Sequence, residues 1–276
     1  MLVALITYHF FMAYVGYFSA VLIGISLGLI GGGGSILTVP VLVYLFSVDA
    51  VAATAYSLFI VGMTSAVGSV SYFRNGLVNV KTAVVFGIPS IIAVFLTRAY
   101  LVPAIPKEVF SVGHFVVTKS LLMLLLFAVL MIAASYSMIK KDKTMVEETT
   151  SPQIFNYPLI VLEGGIVGIL TGLVGAGGGF LIIPALVLLS KLPMKEAIGT
   201  SLVIIAAKSL IGFFGESNET VMNWALIGTV TSLAVVGIFI GTYLSKKIDG
   251  AQLKPAFGWF VLVMGVYIIV KENIFK

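Results

Sequence analysis

Apolar runs of about 20 residues, long enough to cross a ~30 Å hydrocarbon core as helix, recur along the whole chain. Between polar breaks they fall near residues 10–46, 50–73, 78–102, 112–139, 158–190, 194–214, 222–245 and 253–270, eight segments in two sets of four. None alternates strictly between apolar and polar positions as a barrel strand does, so the spans read as helices. The one linker of any length, KKDKTMVEETTSPQIFN from Lys140 to Asn156, is charged, rich in Thr and Ser, and sits at the midpoint. It divides an N-terminal membrane repeat (1–139) from a C-terminal one (158–276), with residues 140–157 as a polar linker. The pattern is that of an all-α polytopic membrane protein.

The halves repeat. A shift of 144 residues lays GLIGGGGSILTVPVLV (Gly28 to Val43) on GLVGAGGGFLIIPALV (Gly172 to Val187), and 11 of the 20 pairs from Gly24 to Val43 are identical. Without a gap, the same register brings Tyr56, Ser57 and Leu58 onto Thr200, Ser201 and Leu202, Gly68 onto Gly212, and Asn79 onto Asn223. Duplicated halves whose hydrophobic segments are interrupted at matching places point to the binding site of a secondary transporter.

Loop charges bear on orientation. The loop after the second segment is basic (Arg74, Lys81), while its counterpart is acidic (Glu216, Glu219). The loop after the first carries Asp49, and its counterpart carries Lys191 and Lys195 beside Glu196. By the positive-inside rule equivalent loops face opposite sides, which implies inverted repeats. Inversion needs an odd number of crossings per half, so the first and fifth segments are expected to turn at their glycine runs as helical hairpins or re-entrant pairs. Parallel repeats with four plain crossings are the alternative.

Composition agrees with the pattern: 60% hydrophobic, 10% charged, mean hydropathy +1.16, where a soluble domain carries roughly 25% charged residues. With no cysteine the chain has no disulfide framework, thiolate metal site or cysteine nucleophile. The net charge of +5 comes from sixteen basic residues scattered over short loops, which form no stripe for nucleic acid. The first thirty residues lack the basic n-region and cleavage site of a signal peptide, so the first segment is expected to stay in the mature protein.

The glycines carry the chemistry. Ala20, Gly24, Gly28 and Gly32, with their copies Gly164, Gly168, Gly172 and Ala176, form ladders of small residues four apart, suited to close helix packing in lipid. Packing leaves Gly31, Gly33 and Gly34 unexplained, and likewise Gly175, Gly177, Gly178 and Gly179, each of which costs a helix ~1 kcal/mol against Ala. Those residues predict unwound backbone, which hydrocarbon tolerates only where protein buries it or water reaches it. The apolar stretch after each run reads as a second half-helix, with Pro40 and Pro184 near its first turn. Such a half-helix aims free N–H groups and the positive end of its dipole at the break, an arrangement suited to an anion. Neither run is followed by the Lys-Ser/Thr of a Walker sequence, which sets nucleotide binding aside.

At these residues the chain resembles the sulfite exporter TauE/SafE family, whose mark is a glycine run, an apolar stretch and a proline, once in each half. Here the mark reads GLIGGGGSILTVP and GLVGAGGGFLIIP. A small-Thr-Ser-Leu stretch opening the next helix stands as Gly199, Thr200, Ser201 and Leu202, and in the first half as Ala55, Tyr56, Ser57 and Leu58. The resemblance implies a secondary transporter for small sulfur-containing anions such as sulfite or organosulfonates, in a prokaryotic inner membrane. Tyr56 departs from the usual Thr, so a strictly symmetrical ligand geometry is not implied.

Among polar residues inside the spans, Lys208 in SLVIIAAKSLIGFF stands deepest. A Lys at mid-span costs ~2.5–3.5 kcal/mol on insertion scales and is a functional candidate by default. The expected anion-binding set is Gly31, Gly33, Gly34, Ser35, Tyr56, Ser57, Gly175, Gly177, Gly178, Gly179, Thr200, Ser201 and Lys208, with Ser209 and the first-half Thr64 and Ser65 nearby. Thr64 occupies the place of Lys208, so one half alone supplies that charge. Glu163 and Lys208 are the candidates for carrying a coupled proton. Arg98 is expected near a helix end, where it could snorkel, attract anions or stabilise an interface, and His114 and Lys119 at headgroup level. Trp224, Trp259, Tyr72 and Tyr243 read as an aromatic belt. The two histidines, His9 and His114, have no metal-ligand spacing, and no cofactor is expected. The expected partners are a small anion and the lipid bilayer, with homodimerisation left open. An anion channel could use the same helix ends. A hydrolase is disfavoured because Ser35 has Gly179 as its counterpart and no histidine matched to it.

Overall fold

The protein is described here from a computed structural model covering residues 2–32, 34–112, 115–139, 157–175, 177–188, 192–215, 222–245, 247 and 250–274. The chain runs through α1 (Leu2–Ile30), α2 (Ser35–Tyr44), α3 (Ala50–Arg74) and α4 (Val80–Leu96). The last continues through a π-helical turn (Thr97–Leu101) into α5 (Val102–Ala104). A hairpin of β1 (Glu108–Val112) and β2 (Phe115–Thr118) leads to α6 (Lys119–Ile139). Then follow α7 (Tyr157–Val174), α8 (Gly179–Leu188), α9 (Met194–Phe214), α10 (Trp224–Ser245) and α11 (Gly250–Ile274). Among the described residues, the helices at Ala50–Arg74, Val80–Ala104, Met194–Phe214 and Trp224–Ser245 are long and apolar enough to cross a membrane.

The internal repeat is written into the helix boundaries. The starts of α2 and α8, of α3 and α9, and of α4 and α10 each lie 144 residues apart, as do the ends of α1 and α7 and of α2 and α8. Local chemistry accounts for this. Asn79 Oδ1 accepts from Thr82 N–H at 3.0 Å to open α4, and Asn223 Oδ1 accepts from Leu226 N–H at 3.1 Å to open α10, both as N-caps. At the other end, left-handed Gly31 (φ 77°) donates to Leu27 C=O at 2.7 Å, and left-handed Gly175 (φ 70°) donates to Thr171 C=O at 2.8 Å. That closing bond satisfies an orphan carbonyl and needs a residue free of Cβ strain.

After its glycines α2 turns back along α1. A Cβ on Gly34 would meet Ile23 C=O, Ser26 Oγ and Leu27, and farther on the rings of Tyr17 and Phe46 lie 5.2 Å apart. Pro40 stands inside α2 as its sixth residue, beyond the first turn where it was expected.

Helices of one repeat pack on those of the other. Gly24 lies against Ala234 and Ile238, and Gly28 against Ile238, Gly241 and Thr242, so α1 and α10 run side by side in the same direction. Gly164 lies against Phe86 and Pro89, Gly168 against Ser90 and Ala93, and Gly172 against Val94 and Thr97, which pairs α7 with α4 and its π turn in the same sense. In several of these contacts the glycine meets backbone atoms, so a side chain would push the helices apart. α3 and α9 cross in opposite senses: Phe59 stacks edge-on with Phe213 at 5.3 Å, Gly62 lies on Leu210 and Gly68 near Leu202. α3 and α9, which occupy equivalent places in the two halves, are thus antiparallel.

Three expectations change. The fourth apolar segment is helical from Lys119, because Phe115–Thr118 joins the hairpin, as β-branched and aromatic residues favour. Gly32 leaves the packing ladder and lies against Gly179, where the two glycine turns meet. Tyr72 is buried rather than part of an aromatic belt, its hydroxyl donating to Gly28 C=O at 3.0 Å and lying 3.1 Å from Ser245 Oγ. Trp224, Tyr243 and Trp259 are exposed. The linker, His114, Lys191, Glu216 and Glu219 lie outside the described residues.

Candidate functional site

Lys208 sits two turns before the end of α9 and is fully buried. Its ammonium donates to Thr171 Oγ1, in the last turn of α7, at 3.1 Å. An ammonium has three protons to give. Among the described residues this is the one hydrogen bond it makes, so a buried cation keeps donor capacity in hand. What it faces is the second glycine turn: a Cβ on Gly178 would stand 2.5 Å from Lys208 Nζ and collide with Thr171.

That turn is built from conformations only glycine adopts easily. Gly175, Gly177 and Gly178 have φ of 70°, 63° and 70°. It ends in the first turn of α8, where Leu181 and Ile182 N–H donate to Gly178 C=O at 3.0 and 3.1 Å, and the N–H groups ahead of them have, by helix geometry, no acceptor within the helix. From α9, Ser209 Oγ lies 3.3 Å from the Cβ position of Gly177, is buried, and has no hydrogen-bond partner among the described residues. α3 covers the opposite side. Thr54 lies against Gly175 and Val61 against Gly177, and between them on that face is Ser57, buried with its hydroxyl also unpartnered. A buried hydroxyl without a partner costs about 1–3 kcal/mol, so these groups mark a place where a ligand or water belongs.

The first glycine turn differs. Gly31 packs on Ile198, and its C=O accepts from Ser201 Oγ at 3.3 Å, a hydroxyl that also bonds Ile198 C=O at 2.8 Å. Ser35 Oγ donates to Gly32 C=O at 2.7 Å. Gly34 is right-handed, with φ −70°. Gly33 lies outside the described residues.

Of the expected site residues, Gly175, Gly177, Gly178, Gly179 and Lys208 come together at the second turn, with Ser57 on the facing helix. Gly31, Gly34, Ser35 and Ser201 gather at the first. Tyr56 and Thr200 are buried and tied across the repeats: Asn223 N–H donates to Tyr56 OH at 2.8 Å, and Asn79 N–H donates to Thr200 Oγ1 at 2.9 Å. Glu163 is half-buried on α7, eight residues and about 12 Å of helix before Thr171.

Two buried groups escaped the sequence reading. Thr171 holds Lys208; its signal was that the repeat places Leu27 opposite Thr171 just as it places Thr64 opposite Lys208, so the cation and its acceptor depart from symmetry together. Arg98 is fully buried in the π turn, donating to Thr54 Oγ1 at 3.0 Å, rather than snorkelling from a helix end. Helix continues past it through Ala104.

The profile of the sulfite exporter TauE/SafE family matches residues 17–268. A probable membrane transporter protein of Xylella fastidiosa is 28% identical over 258 residues, covering 90% of this chain and 91% of that one. The probable membrane transporter protein YdhB of Bacillus subtilis is 27% identical over 235 residues, covering 85% of this chain and 91% of its own length. No solved structure matches.

Proposed function

Because the chain belongs to the sulfite exporter TauE/SafE family, we propose that it is a secondary transporter that carries a small sulfur-containing anion, sulfite or an organosulfonate, across a prokaryotic inner membrane by alternating access. The anion sits at the glycine turns, held by the N-terminal N–H groups of the half-helices, by hydroxyls, and by Lys208. The single observation carrying this reading is the fully buried ammonium of Lys208, with one hydroxyl partner among the described residues and a bare glycine turn in front of it. A cation in hydrocarbon without an anion is costly, and a ligand that supplies the charge offsets that cost.

The repeats are inverted in the membrane. Supporting this are the antiparallel crossing of α3 and α9, and the way α2 folds back along α1, which makes the first pair re-entrant and leaves α3, α4 and α6 as three crossings per half. A site between inverted repeats can open to either side as one repeat rocks against the other. Lys208 and Glu163 are the titratable groups through which a proton gradient can couple to the anion.

Reconstitution into proteoliposomes tests the proposal. Flux of sulfite, thiosulfate or a sulfonate is expected to saturate and to respond to an imposed proton gradient; large unsaturated currents would mean a channel. The anion is identified by which of sulfite, thiosulfate, sulfonates and sulfate raises the melting temperature of the purified protein.

A further inference from the structure

The internal repeat offers two glycine turns of nearly the same sequence, and the anion needs only one. Resting on the reading that the site binds an anion, we infer that the binding site is one-sided: the anion occupies the second turn alone, with Ser209 as a binding-site residue beside Lys208 and Thr171 as the residue that positions the ammonium, while the first turn is a structural pivot without ligand.

Three differences between positions related by the 144-residue repeat carry this, together with one observation at the second turn itself. At the second turn Lys208 and its acceptor Thr171 stand together, whereas the first has Thr64 and Leu27 at those places, so both halves of the polar pair are missing. The Thr64 hydroxyl is spent on Ile60 C=O at 2.6 Å. Gly178 is left-handed at φ 70°, whereas its counterpart Gly34 is right-handed at φ −70°, so the two turns present their N–H groups differently. Ser35 fills the head of the first turn and bonds Gly32 C=O, whereas its counterpart Gly179 leaves the head of α8 bare of side chain. The further observation is Ser209 Oγ, buried beside Gly177 and without a hydrogen-bond partner among the described residues.

The donors then number three kinds: ammonium from Lys208, hydroxyl from Ser209, and backbone N–H from the turn. They match a compact oxyanion with several acceptor oxygens around one central atom. Thr171 can accept from Lys208 while its own proton goes to Gly168 C=O at 3.3 Å, so it orients the ammonium rather than competing for the anion.

The repeat supplies its own control. Ser65 occupies the position of Ser209, is equally buried, and also lacks a hydrogen-bond partner among the described residues. The experiment titrates sodium sulfite, against sodium chloride at matched ionic strength, into the purified full-length protein as wild type, Ser209→Ala, Ser65→Ala, Thr171→Val and Lys208→Gln. Affinity and stoichiometry are read by calorimetry and melting temperature. One sulfite per chain is expected, with Ser209→Ala and Thr171→Val each weakening binding about tenfold and Ser65→Ala leaving it within twofold. Equal losses in Ser209→Ala and Ser65→Ala, or two sulfites per chain, overturn the one-sided site. If Lys208→Gln loses sulfite while Ser209→Ala and Thr171→Val bind as wild type, this inference falls and the anion reading stands. If wild type fails to bind sulfite, or Lys208→Gln binds it unchanged, the anion reading itself falls and takes the inference with it. The Ser→Ala changes remove one atom from a buried site, so folding is not at stake in the central comparison.

Discussion

The backbone N–H of Asn79, at the cap of α4 in the first repeat, donates to Thr200 Oγ1 in α9 of the second, at 2.9 Å. The repeat returns the relation with roles exchanged, since Asn223 N–H donates to Tyr56 OH at 2.8 Å. The pairing explains why a tyrosine can replace the threonine of the family mark: the position must offer a hydroxyl to the other repeat's helix cap, and either side chain can. Thr200→Val and Tyr56→Phe are therefore each expected to lower stability by about 1–3 kcal/mol through an unsatisfied buried N–H. Melting temperature in detergent checks this, and sulfite affinity should change little in the variants that stay folded.

Gly178→Val places a Cβ where Thr171 and Lys208 already are, in a left-handed backbone that β-branched residues do not adopt. Loss of anion binding is expected, with helix content and membrane insertion kept. Lys208→Ala should abolish binding too, since one charged hydrogen bond is worth about 1.5–3 kcal/mol, roughly 10- to 150-fold in affinity. Circular dichroism and sulfite titration on the same samples separate folding from binding.

The glycines of α7 differ in role, and alanine distinguishes them. A Cβ on Gly168 would meet Ser90 C=O and Ala93 at 2.6 Å, whereas one on Gly165 meets nothing within 4 Å. Gly168→Ala should force α7 from α4 and lower the melting temperature by several degrees. Gly165→Ala should leave it unchanged or raise it, because alanine gains about 0.5–1 kcal/mol over glycine inside a helix.

Inversion can be tested with labels because the chain has no native cysteine. Gly76→Cys, between α3 and α4, and Glu219→Cys, between α9 and α10, occupy corresponding loops. A membrane-impermeant maleimide applied to intact cells and then to inside-out vesicles should reach them from opposite sides. Labelling from the same side would indicate parallel repeats.

Much of this architecture was legible in the chain. The 144-residue identity around the glycine runs anticipated helix starts that repeat to the residue, because N-caps such as Asn79 and Asn223 and the closing glycines Gly31 and Gly175 act on neighbours within one turn. The packing role of Gly24, Gly28, Gly164, Gly168 and Gly172 was legible too, since spacing by four is a property of one helix face, but the same spacing misplaced Gly32, which lies at the turn against Gly179. The hairpin at Glu108–Thr118 was not, because a short apolar run suits strand and helix alike.

What the sequence determined by itself is whatever depends on local chemistry and on translocation through lipid: a helical membrane protein, two related halves, backbone unwound at glycine, one uncompensated Lys. Tertiary structure alone decided which groups meet. That Lys208 faces the second turn rather than the first, that Thr171 receives it, that Tyr56 and Thr200 serve the opposite repeat, and that Arg98 is buried all follow from how the helices pack on one another. Hydrogen bonds between residues more than a hundred positions apart leave no period in the chain, and a repeat reports which positions are equivalent without reporting which of them touch.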